Sequence, residues 1–187
     1  MFSVGAVTHT KIEVKKSTFT SYLLPFPLFE TYHDKLKQEH PKASHIIWAF
    51  RRLNEFGQIV EGSNDDGEPK GAAATPTLNV LRGESLINTV ILTVRYFGGT
   101  KLGVGGMVRA YTASAKEVVN HSALTPFIQK DKHHFHTSYT LVKRYEHYFE
   151  TQHIDYHDRV FEATTVTWTV ALRLEEKKAF EDFVKAL

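Results

Sequence analysis

Five glycines fall within nine residues at Gly98, Gly99, Gly103, Gly105 and Gly106. They stand between a β-branched apolar run and a segment of helical periodicity. Glycine tolerates positive φ and lets backbone N–H groups converge on a ligand without side-chain obstruction. A helix that starts after such a loop offers unpaired N–H groups and a partial positive charge. Arg95 before the segment, Lys101 within it and Arg109 just beyond it add full charges. The pattern therefore reads as a phosphate or anion cradle formed by Arg95, Gly98, Gly99, Lys101, Gly103, Gly105, Gly106 and Arg109. Familiar nucleotide fingerprints fail: Val104 and Gly105 stand where a P-loop needs Lys and Ser or Thr, and Val108 stands where a dinucleotide fold needs its third glycine. A tight packing turn of strand on helix is the competing reading, and both remain open on the residues alone.

A second chemical cluster is Asn64-Asp65-Asp66-Gly67-Glu68-Pro69. Its carboxylates invite a cation, but the spacing does not match an EF-hand loop, and Asp-Gly and Glu-Pro are ordinary turn chemistry. Asp65, Asp66 and Glu68 are therefore expected to shape a surface loop or a partner site. His45 precedes an apolar strand with no serine elbow or carboxylate partner signalled by spacing, so a hydrogen-bonded structural role is expected. Among eleven histidines, His134 and His136 would share a strand face, yet no third ligand is identifiable. Arg51 and Arg52 could touch phosphates or end a strand in solvent. With no cysteine and no base–nucleophile set, no catalytic residue, metal or cofactor is assigned.

These residues need a scaffold. The 187-residue chain is 42% hydrophobic and 24% charged, ordinary values for a folded globular protein. Net charge is +2: residues 1–128 hold 14 Lys and Arg against 11 Asp and Glu, and residues 129–187 hold 9 against 10. A weakly basic first part permits phosphate contact but is no dedicated nucleic-acid footprint. No segment reads as a signal peptide, and no apolar run approaches the roughly 18 residues that span a bilayer, so a cytoplasmic setting with no membrane partner is expected.

Lys11–Val14 and Thr18–Leu24 flank Lys15-Lys16-Ser17 as an opening hairpin. A helix follows through Leu28, Tyr32 and Leu36, then a strand Ser44–Arg51 and a short strand Gln58–Glu61. Gly62–Gly71 must be a loop, Ala72–Leu81 a helix, and Asn88–Tyr96 a central strand. Val108, Tyr111, Ala115, Val118 and Val119 mark an amphipathic helix beyond the glycines. Ser122–Asp131 breaks the pattern and sets the boundary between domains 1–128 and 129–187. The second domain reads as strand 132–140, helix 141–152, strands 154–161 and 163–174, and helix 175–186. Its apolar face Val166, Trp168, Val170, Leu172 and Leu174 is to be covered by Ala179, Phe180, Phe183, Val184 and Leu187. This βαββα order predicts a split-βαβ, ferredoxin-like module without residues for a last edge strand.

Three segments carry a resemblance: Ala43-Ser44-His45-Ile46-Ile47-Trp48-Ala49-Phe50, Asn64 to Ala72, and Arg95-Tyr96-Phe97-Gly98-Gly99-Thr100-Lys101-Leu102-Gly103-Val104-Gly105-Gly106, continuing to Tyr111. Together they resemble the IMPACT family; length and C-terminal module are similar to its bacterial YigZ-like branch. The resemblance implies an α+β protein. Its N-terminal two-layer α/β domain would be of the βαβ type shared with a ribosomal protein and elongation factor G. Its C-terminal domain would be ferredoxin-like, similar to the last domain of elongation factor G. Eukaryotic members modulate translation under stress, so a translation-associated regulatory or binding protein is implied, with RNA, the ribosome or a translation factor as partner. Ile46-Ile47 replace the Asn-Cys often found after the histidine, so no role of that cysteine carries over. A small-molecule enzyme acting on a phosphorylated ligand or nucleotide, and a protein–protein adaptor, are the alternatives.

Overall fold

The computed structural model describes residues 1–154 and 156–187, which form two compact units, Met1–Phe127 and Ile128–Leu187. The first unit runs β1 (Phe2–Val4), β2 (Thr8–Val14), β3 (Ser17–Pro25), α1 (Phe29–Glu39), β4 (His45–Leu53), β5 (Ile59–Asn64), α2 (Ala74–Gly83), β6 (Thr89–Tyr96), α3 (Gly103–Asn120) and β7 (Leu124–Pro126). Five strands make a sheet in the order β2-β3-β6-β4-β5. β3 and β4 both pair antiparallel with β6, so β3-α1-β4 is a split βαβ with β6 inserted. The predicted central strand is central because Thr89–Val94 is buried on both faces.

Alternation along β6 assigns those faces. Ile91 packs toward α2 and α3 with Leu23, Ala49, Leu78, Leu81, Ala115 and Val118. Val90, Leu92 and Val94 pack toward α1 with Leu24, Leu36 and Ile46. Truncating any of these large buried side chains to alanine removes about 2–5 kcal/mol. Buried hydroxyls fix α3 on the sheet: Ser21 Oγ lies 2.7 Å from both Thr93 Oγ1 and Ser114 Oγ, joining β3, β6 and α3.

Several boundaries differ from the sequence reading. α3 begins at Gly103, which enters it at φ +70°, so Gly105 and Gly106 are helical and the true loop is Phe97–Leu102. Burial of Met107, Ala110 and Tyr111 against the sheet outweighs the weak helix propensity of Gly105 and Gly106. α2 starts at Ala74 rather than Ala72; Pro76 sits in its first turn, where a missing N–H leaves no bond unmade. β5 runs on to Asn64, and the predicted break Ser122–Asp131 contains β7, which pairs with β1.

The second unit runs β8 (Asp131–Ser138), α4 (Val142–Thr151), β9 (Tyr156–Phe161), β10 (Thr165–Leu172) and α5 (Leu174–Lys185). Asp155, inside the predicted strand 154–161, lies outside the described residues. The antiparallel order β8-β10-β9 is the split-βαβ arrangement of a ferredoxin-like module. Trp168, Tyr145, Phe149 and Phe180 form its core, and Trp168 Nε1 donates to Thr137 Oγ1 at 2.9 Å. α5 presents Phe180 and Phe183, with Leu187 just beyond its end on the same core, whereas Ala179 is exposed, Val184 is 40% exposed, and Leu174, expected on the apolar strand face, opens α5 instead at 82% exposure. His134 and His136 share the solvent face, each ring Nδ1 2.9 Å from Thr169 Oγ1 or Thr167 Oγ1. Among the described residues no group of three or more potential ligands gathers, and no helix is long and apolar enough to cross a membrane.

Candidate functional site

The acidic loop between β5 and α2 uses its charges on its own frame. Asp65 accepts hydrogen bonds from the N–H groups of Gly71 (2.8 Å), Ala73 (3.2 Å) and Ala74 (2.8 Å), placing a carboxylate at the N-terminus of α2. Asp66 Oδ2 accepts from Ile46 N at 2.6 Å, and its backbone carbonyl lies 2.7 Å from His45 Nδ1. A carbonyl only accepts, so His45 Nδ1 carries the proton. Its Nε2 then stands 3.8 Å from Glu68 Oε2. Gly67, at φ +85°, turns the chain so that Glu68 points inward.

Glu68 is 7% exposed, and its Oε1 accepts from Arg95 Nη1 at 2.5 Å and from Tyr111 Oη at 2.6 Å. Burial, reinforced by the Glu68 carboxylate, pushes the Tyr111 phenol far above its ordinary range, so it stays protonated and donates. Arg95 is 5% exposed, with its guanidinium 5.4 Å from the Phe19 ring centroid. Expected among the cations facing phosphate, Arg95 instead turns inward. Ile91, Thr93 and Arg95 alternate on the helix-facing side of β6, where a buried cation requires a counter-ion. Arg51 is likewise held inside the fold, donating to Glu61 Oε1 at 2.9 Å and to Leu86 O at 3.0 Å.

The glycine segment is built in the opposite way. Gly98 lies flat on the hairpin turn: a Cβ there would sit 2.0 Å from the Lys16 carbonyl carbon, so no other residue fits without movement. Its N–H donates to Ser17 Oγ at 3.1 Å. Gly99 and Gly103 adopt φ +85° and +70°, steering the chain into α3. The turn beneath is Lys15-Lys16, with φ of 47° and 65°. Lys15, Lys16, Lys101 and Arg109 are exposed, and none of their side chains has a hydrogen bond or ion pair among the described residues. Between the turn and α3 runs a groove of about 320 Å³ lined by Val14, Lys15, Leu102, Gly106, Arg109, Ala110 and Ala113.

The structure thus separates the sequence-flagged residues into two groups. His45, Asp65, Asp66, Glu68 and Arg95 gather in one cluster. Gly98, Gly99, Lys101, Gly103, Gly105, Gly106 and Arg109 form the other region. Tyr111 and the Lys15-Lys16 turn are additions that sequence reasoning missed. Tyr111 carried a signal, being a phenol on the apolar face of a helix that needs a buried acceptor.

A split βαβ sheet joined to a ferredoxin-like module defines an α+β protein of two units. Residues 15–119 match the Impact N-terminal domain, and the chain belongs to that family. An IMPACT family member of Haemophilus influenzae is 43% identical over 102 residues, covering 53% of this chain and 50% of its own. IMPACT family member YigZ of Escherichia coli is 34% identical over 112 residues, covering 57% and 54%. The chain spans about half the length of these curated relatives. The crystal structure of a hypothetical protein superposes with a TM-score of 0.73 over 98% of this chain and 90% of its own, at 24% identity, which shows a common fold.

Proposed function

We propose that this chain is a translation-associated binding protein whose N-terminal unit contacts phosphates of RNA or the ribosome through the glycine segment. The translation setting and the cytoplasmic location follow what the family resemblance implies and are part of the proposal. The supporting observation is electrostatic: Lys101 and Arg109 stand exposed beside backbone that glycine leaves unobstructed, and no acid of the described residues neutralises them. In this reading the Asp65–Glu68 loop and His45 hold the scaffold and shape its partner-facing surface.

The test is co-sedimentation with ribosomes, together with RNA binding across a salt series. With two phosphate contacts, from Lys101 and Arg109, a rise from about 50 to about 200 mM salt lowers affinity roughly tenfold. Lys101→Ala with Arg109→Ala removes most of that dependence while the fold is kept. Salt-insensitive binding, or binding untouched by the double substitution, overturns the reading.

A further inference from the structure

We infer that the groove between the β2–β3 turn and α3 is a nucleotide pocket that holds one nucleoside phosphate unit. The inference rests on the phosphate-contact reading above and adds what else the ligand carries. At about 320 Å³ the groove lies at the small end of sites that enclose an organic ligand. Its lining has two parts. Val14, Leu102, Ala110 and Ala113 make an apolar floor, and Lys15 and Arg109 supply two positive charges with no carboxylate among the lining residues. A bare anion would use the charges and leave the floor empty. A ligand with a planar apolar part and a phosphate uses both.

The turn carries an independent indication. Both central positions of a two-residue hairpin loop at positive φ favour Asn-Gly, which adopts that backbone with little strain. Here both are lysines, at φ 47° and 65°, each costing roughly 1 kcal/mol or more. The β2–β3 ladder, closing at Val14 and Ser17, holds that backbone, but neither lysine amine finds a partner among the described residues. Charge complementarity therefore points outward, to an anionic ligand seated between Lys15 and Arg109. Free nucleoside monophosphate and the phosphorylated end of an RNA share this chemistry.

Titration calorimetry of the full chain separates the components. The probes are AMP, ribose 5-phosphate, inorganic phosphate, an oligo(A) tetramer with and without a 5′-phosphate, and a poly-glutamate peptide. AMP binds roughly tenfold tighter than ribose 5-phosphate, and inorganic phosphate binds weakest. Lys15→Ala and Arg109→Ala each weaken AMP roughly tenfold. Ala113→Phe, an exposed helical position that fills the floor, abolishes AMP binding and leaves inorganic phosphate unchanged. Lys15→Ala lies in an exposed turn and tests the pocket without touching α3. Binding of AMP alone, or of the 5′-phosphorylated tetramer alone, identifies the source of the nucleotide and supports the pocket either way. AMP no tighter than inorganic phosphate overturns the inference, as does AMP binding unaffected by Ala113→Phe or poly-glutamate competing at equal strength. Ribosome co-sedimentation that persists when AMP fails removes the pocket alone. AMP binding without ribosome association removes the translational reading and leaves the pocket.

Discussion

The acidic loop and the glycine segment belong to one unit and handle charge in opposite ways. Asp65, Asp66 and Glu68 are each answered by backbone N–H groups, by Arg95 or by Tyr111. Lys15, Lys16, Lys101 and Arg109 have no such partner among the described residues. Low dielectric makes an unanswered buried charge costly, so the buried Glu68 and Arg95 had to pair with each other. Exposed cations incur no such penalty and can remain available. Richness in titratable groups therefore marks the region that organises the fold, and the region with fewer groups is the one open to a ligand.

That contrast can be broken by substitution. The largest effect belongs to Glu68→Ala, which strands the Arg95 guanidinium and the Tyr111 hydroxyl inside. Urea denaturation should show a loss of about 3–5 kcal/mol, and an unchanged midpoint would return Glu68 to the surface. Gly98→Ala comes next, at about 1–3 kcal/mol, because the added methyl meets the Lys16 backbone. Asp65→Ala removes the carboxylate from the start of α2 and costs about 1–2 kcal/mol in the same assay. Tyr111 adds a pH dependence of at most about 1.4 kcal/mol per pH unit. Its folded pKa lies above the unfolded value of about 10, so its contribution is complete below that pH and lost as pH rises beyond it. Thermal scans of wild type and Tyr111→Phe at pH 8 and pH 11 should show a smaller alkaline loss in the variant. Smallest of all, Lys101→Ala with Arg109→Ala should shift stability by less than about 0.5 kcal/mol. A larger shift would mean these cations have structural work after all.

Much of this architecture was legible in the sequence. The opening hairpin, α1, β6, α3 and the strict alternation around Trp168 follow from periodicity, because a buried face imposes its period on the residues that fill it. β1 and β7 were not legible. Each has three residues, and β7 ends in a proline, so only pairing with distant sequence makes them strands. The start of α3 was misplaced because tertiary burial overrode glycine's preference. The site divided similarly. Residue types drew attention to His45, the acidic loop and the glycines, but spacing could not bring His45 beside Glu68 across a loop. The inward aim of Arg95 was readable, since it shares parity with Ile91 and Thr93 on β6. The cationic turn was readable only as a turn, because positive φ at two lysines is invisible without coordinates.

The pairing of β1 with β7 bears on how the unit is made. Ser3 and Thr125 meet across 122 residues of sequence, and Phe127 N donates to Met1 O at 2.9 Å. During synthesis the first strand emerges long before its mate exists. The five-stranded sheet can assemble from residues through Tyr96, but β1 meets β7 only once Pro126 has left the exit tunnel. Until then β1 lacks β7 and is hydrogen-bonded through Phe2, whose N–H donates to Ser85 O and whose carbonyl accepts from Ile87 N, so one edge of β1 stays open to mispairing.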